Sequence, residues 1–133
     1  MHKSIRHQIL VIFLSFSLIG IASAFQVNEI TLDEKVARSE LVIIGDVIST
    51  LRHTGDFGYD VAVITPFTVL KGTVSSDIRV AFNGTLSESR PRCCEKGGRY
   101  LFFIAKNPSG DYFSINGPYG IFRIDRANSP ATP

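Results

Sequence analysis

Tyr59-Asp60-Val61-Ala62-Val63-Ile64-Thr65-Pro66-Phe67-Thr68-Val69-Leu70 is the stretch that decides the fold class. Val, Ile, Thr, Phe and Tyr suit a pleated surface, and residues two apart fall on one face of a strand. Tyr59, Val61, Val63, Phe67 and Val69 fall on one side, against Asp60, Ala62, Ile64, Pro66 and Thr68 on the other. The first set is expected to face a core. Pro66 interrupts this run and Gly45 interrupts the preceding apolar run Leu41 to Thr50, as happens where a strand bends or bulges.

Working outward, the same composition predicts strands at about 41–50, 59–70, 77–82, 99–106, 111–116 and 120–125. The connections Thr54-Gly55-Asp56, Asn107-Pro108-Ser109-Gly110 and Asn116-Gly117-Pro118 are short and made of turn formers, which favours antiparallel neighbours. Upstream, Thr31-Leu32-Asp33-Glu34 has the form of a capping box, predicting a short helix over about 32–39. Its Leu32, Val36 and Ala37 are expected to rest on something apolar. The economical architecture is mainly β: a five- to six-stranded antiparallel barrel with a short N-terminal helix. The expected core is Val42, Ile44, Val47, Val61, Val63, Phe67, Val69, Val80, Leu101, Phe103 and Ile121. Either face of the first strand could turn inward, because a slip of one residue exchanges the faces.

Three segments divide the 133 residues. Residues 1–24 read as a secretory signal peptide: a basic start, an apolar run from Ile9 to Ala22, then Ala22-Ser23-Ala24 as the cleavage site. That run is 14 residues, short of the roughly 18 to 20 a spanning helix needs. Residues 25–125 form the barrel domain, and the Pro-rich, polar residues 126–133 are expected to be a disordered tail. The expected location is outside the cytoplasm, periplasmic or extracellular, with no membrane attachment after cleavage.

Charge and histidine content narrow the chemistry. The chain has 14 basic and 12 acidic residues, and the leader holds Lys3 and Arg6 but no acid, so the remainder is balanced at 12 and 12. A neutral chain lacks the basic groove that nucleic acid requires, and no nucleic-acid partner is expected. Only His53 remains after the leader. Its neighbours Asp56 and Asp60 do not by themselves fix a metal geometry, so no metal, cofactor or catalytic set is expected. The aromatic residues Tyr59, Phe67, Tyr100, Phe102, Phe103, Tyr112, Phe113, Tyr119 and Phe122 could form a stacking platform, but at strand period aromatics usually fill a core. Asn83-Gly84-Thr85 matches an N-glycosylation sequon and also reads as a turn.

The sixteen residues from Asn83 to Gly98 break the pattern of short turns. Loops of that length in small domains are functional or mobile. This one carries Cys93 and Cys94, with Arg90, Arg92, Lys96 and, just beyond, Arg99 as a candidate partner-contact patch. Positive neighbours favour thiolate, which admits a reactive pair; an oxidising compartment equally admits a disulfide between the two neighbours, or links to other molecules. A ring of two adjacent residues closes the smallest possible loop, so the double replacement by serine is expected to keep the fold.

The succession Leu32-Asp33-Glu34-Lys35-Val36-Ala37, Leu41-Val42-Ile43-Ile44-Gly45-Asp46-Val47, Val69-Leu70-Lys71-Gly72, Gly98-Arg99-Tyr100-Leu101-Phe102-Phe103 and Gly117-Pro118-Tyr119-Gly120-Ile121-Phe122 resembles small secreted bacterial proteins similar to the netrin-like domain. That superfamily includes the N-terminal domains of tissue inhibitors of metalloproteinases, and the resemblance implies an OB-type barrel over about 32–125. Those inhibitors begin with a zinc-chelating cysteine, whereas cleavage here would leave Phe25-Gln26-Val27, so that role does not transfer. The expected function is a secreted, non-enzymatic, inhibitor-like binding module with a protein partner. The alternative is a small extracytoplasmic thiol-based enzyme using Cys93 and Cys94.

Overall fold

The computed structural model describes residues 26–55 and 58–124; the expected leader and tail, and Asp56, lie outside the described residues. One helix, α1 (Leu32–Arg38), precedes six strands: β1 (Leu41–Leu51), β2 (Asp60–Lys71), β3 (Ile78–Phe82), β4 (Arg99–Lys106), β5 (Tyr112–Ser114) and β6 (Ile121–Arg123). Five strands close a barrel in the order β1-β2-β3-β5-β4, with β4 returning to β1 and β6 added beside β4. The protein is therefore an OB-like β-barrel with a minor helical part. No helix among the described residues is long and apolar enough to cross a membrane.

One pairing corrects the all-antiparallel expectation. β3 and β5 run parallel, meeting at Val80 and Tyr112, while every other pair is antiparallel. Parity requires this. Strand direction reverses at each antiparallel pair, so a ring of five strands closes only if one pair is parallel.

The interior is built from Leu41, Ile43 and Val47 of β1, Ala62 and Ile64 of β2, Ile78 and Val80 of β3, Tyr100, Phe102 and Ile104 of β4, and Ile121. Most of this lies on the opposite face of β2 from the one expected: Ile64 is 0% exposed, whereas Phe67 is 64% exposed, Val69 is exposed and Val63 is only half-buried; Val61, of the expected face, is buried outside the central cluster. Ile44 and Leu101, expected inside, are likewise half-buried on the outer face, while Val47, Val80 and Ile121 lie in the interior. Val42 and Phe103 pair across β1 and β4 and are buried, but outside the central cluster. Phe103 meets Phe122 edge-on at 6.1 Å, and Lys35 of α1 lies 4.9 Å above the Phe122 ring. Both faces of the β1–β4 pair therefore carry apolar side chains.

Gly45 lies at a bulge, as its place in the strand suggested: the β1–β2 register shifts between Ile44 and Gly45, and Gly45 sits opposite Pro66. A Cβ there would come within 2.5 Å of Ile64 Cγ2, so the bend is made where a side chain has no room.

α1 begins as its sequence implies, the Glu34 amide donating to Thr31 Oγ1 at 3.2 Å. Glu34 itself turns to Arg38 one turn on rather than back to the cap. The buried face is not the apolar one: Leu32 is 63% exposed and Val36 and Ala37 are also exposed, whereas Lys35 and Ser39 are buried. Lys35 extends its stem inward and donates to Glu29 at 2.6 Å. At the other end Lys71 donates to the carbonyls of Val36 and Ser39, both at 2.6 Å, placing a cation where the helix dipole is negative. Gly72, with φ of +85°, follows it; a Cβ there would meet the Glu40 carbonyl at 2.5 Å.

Candidate functional site: a groove beside the cysteine loop

Alternation along three elements carries side chains to the outer wall beside the long loop. Val80 and Tyr112 pack on the interior, so their neighbours Ala81 and Phe113 project the other way. Tyr59, just before β2, meets Phe113 edge-to-face at 5.0 Å and donates its hydroxyl to Asp111 at 3.2 Å. The two rings floor a groove of about 430 Å³, walled by Leu86, Arg90 and Pro91 from the loop. Its size lies within the range of ligand clefts, about 300 to 1,000 Å³.

Arg90 is the hinge of this surface. It lines the groove and also two neighbouring concavities, one shared with Asp60 and Asn83, the other with Glu29 and Arg92. Its Nε–H donates to the Gly84 carbonyl, fixing the guanidinium half-buried at the junction. Beside it, Asp60 accepts from the Asn83 amide at 2.9 Å and from the His53 backbone N–H at 2.8 Å. These two bonds, the Asn83 one first, hold the Asp60 carboxyl below its ordinary pKa, with a smaller contribution from the Arg52 charge. His53 thus contributes through its backbone, and no group of three potential metal ligands occurs among the described residues.

The loop's other candidate residues separate. Arg92 shares a concavity with Arg90, and Lys96 is exposed and apart from both. Arg99 leaves the patch altogether: it lies on β4 and binds Asp46 through two bonds, at 2.7 and 2.8 Å, while its guanidinium stacks 3.9 Å from the Phe67 ring centre. The Asp46 hydrogen bond raises the Arg99 pKa and keeps it charged. The sequence placed Arg99 next to the loop; strand pairing of Asp46 with Arg99 decides otherwise.

Cys93 and Cys94 are bonded to each other across a cis peptide, with Cα atoms 3.2 Å apart. Cys94 is 4% exposed and belongs to the central apolar cluster, with Cys93 packed against it. The surrounding loop is pinned by Gly97 N–H to Val47 O at 2.7 Å, Val47 N–H to Gly98 O at 2.9 Å, and Glu95 N–H to the Tyr100 hydroxyl at 3.0 Å. The cysteines thus fill one end of the barrel and, as a pair, face the core rather than the surface.

Two features of this region are not legible in the sequence. Tyr59 and Phe113 share the strand period of core aromatics, which does not distinguish the inner wall from the outer one. Asn116 has the composition of a turn residue and does more. With φ of 67°, it accepts from Ile30 N–H at 3.0 Å and donates to Asn28 O at 2.8 Å, tying the N-terminal segment beside the loop. No local signal announces a bond spanning that much of the chain. Compared with protein-family models, curated proteins and solved structures, the chain matches none.

Proposed function

We propose that the protein is an exported, non-enzymatic binding module of the inhibitor-like kind, and that it holds a segment of a partner protein in the groove over Tyr59 and Phe113. The observation that carries this reading is the groove itself, an apolar floor beside a half-buried cation on a rigid barrel wall. Leu86, exposed at its rim, adds an apolar contact that the protein's own fold leaves uncovered. The netrin-like resemblance belongs to the same proposal, and the groove does not depend on it. Export to the periplasm or the exterior is proposed from the leader alone.

The thiol-enzyme alternative would need the cysteine ring opened by a reductant before either sulfur could act as a nucleophile, and no observation favours it over the groove. The test is capture of the partner from a native extract by the parent protein and by Leu86→Asp, followed by amide-exchange mapping of the complex. The expected result is loss of the partner with the variant and protection confined to residues 84–91 and 113. Unchanged capture, or protection on another face, would overturn the proposal.

A further inference from the structure

We infer that the groove selects a segment that presents an apolar side chain and a carboxylate close together, the apolar group resting on Tyr59 and Phe113 and the carboxylate meeting Arg90. This rests on the groove being the binding site. It adds the chemistry of the occupant.

A guanidinium has five N–H donors, and Arg90 spends its Nε–H on Gly84 O. The four donors on its two terminal nitrogens have no acceptor among the described residues. No carboxylate within the described chain forms an ion pair with it: Glu29 pairs with Lys35, Glu95 with Arg123 and Asp111 with Arg79. A half-buried, oriented cation with its terminal donors unspent is complementary to a carboxylate, which can accept two of them side by side. The Nε bond holds the fork in place before a ligand arrives, so little ordering entropy is lost on binding.

The shared lining sets the proximity. Arg90 shares the groove with both rings, so the charged and apolar groups of the occupant lie close together in it. Two adjoining concavities between them share Gly84, Arg90 and Pro91 with the groove, so the concave surface continues beyond it. That continuity favours a segment of a protein over a closed-in metabolite.

The experiment titrates the isotope-labelled protein with the capped tetrapeptide alanine-phenylalanine-aspartate-alanine and with its asparagine counterpart, following backbone amides and the Arg90 Nε–H. The aspartate peptide is expected to shift resonances of residues 84–91 and 113 and to bind about tenfold more tightly than the asparagine peptide. Arg90→Gln should abolish that preference and Arg90→Lys should keep part of it; the Lys variant also covers the case in which the Gln variant does not fold. Equal binding of both peptides in the groove would overturn the carboxylate inference while leaving the groove reading intact. Shifts at neither the groove nor Arg90 would overturn both. Saturation of the same resonances by phenylpropionate more tightly than by the peptide would overturn the protein segment in favour of a small acid.

Discussion

Ile64 and Val63 are adjacent on β2 and differ by one methylene, yet the interior treats them differently. Ile64 is fully enclosed among core side chains, so Ile64→Ala should lower unfolding free energy by about 2–5 kcal/mol. Val63 is only half-buried, and Val63→Ala should cost clearly less. Urea denaturation of the two variants checks the ordering, and equal losses would mean that the interior lies on the other face. Alternation makes the strand legible but points to the wrong inner side, because Val61 and Val63 are as apolar as Ala62 and Ile64, which form the central cluster. The small partners that fit the crowded interior, Gly45 and Ala62, were the available clue. Asp60 offers a second test at this scale. Its folded-state pKa is depressed, so its stabilising contribution is present above the unfolded value of about 3.9 and is lost as pH falls through the lower folded value. Asn83→Ala should move the Asp60 carboxyl titration upward toward that ordinary value, measured by carbonyl NMR, without displacing the barrel.

Within α1 the sequence signal for the start was sound, and the signal for orientation was not. A seven-residue helix has too little apolar surface for its stripe to decide how it docks. Two lysines decide instead: Lys35 reaches inward to Glu29 and Phe122, and Lys71 of β2 caps the last carbonyls. Removing the cap charge while keeping the stem, Lys71→Met, should destabilise the protein by about 1–2 kcal/mol, a fall in melting temperature of several degrees for a domain of this size. Val36→Gln, on the exposed side of the same helix, should stay within about 0.5 kcal/mol of the parent. The opposite ranking in differential scanning calorimetry would restore the apolar face as the docking face. The Lys71 partners could not be read locally, since Lys71 and the helix are joined only once β2 has folded back beside β1.

The whole barrel depends on a loop that local reading left outside it. Because Cys94 fills one end of the interior, replacing it with serine buries a hydroxyl among apolar neighbours, at a cost of about 1–3 kcal/mol where it finds no acceptor. Cys93→Ser, at a half-buried position, should cost less, so the double variant should melt well below the parent rather than beside it. A thermal scan showing no difference would return the cysteines to the surface and revive the expectation drawn from loop length alone. The strand order joins five of the six strands into one closed body, and its closure has a consequence in time. Leu41 lies opposite Ile104 and Asp46 opposite Arg99, so the second edge of β1 stays open until β4 arrives. A chain delivered from its N-terminus has β1, β2 and β3 to hand but cannot complete the ring until nearly all of the domain has emerged. Until then β1 carries one unpaired edge, so the emerging chain exposes an open strand edge for most of its delivery.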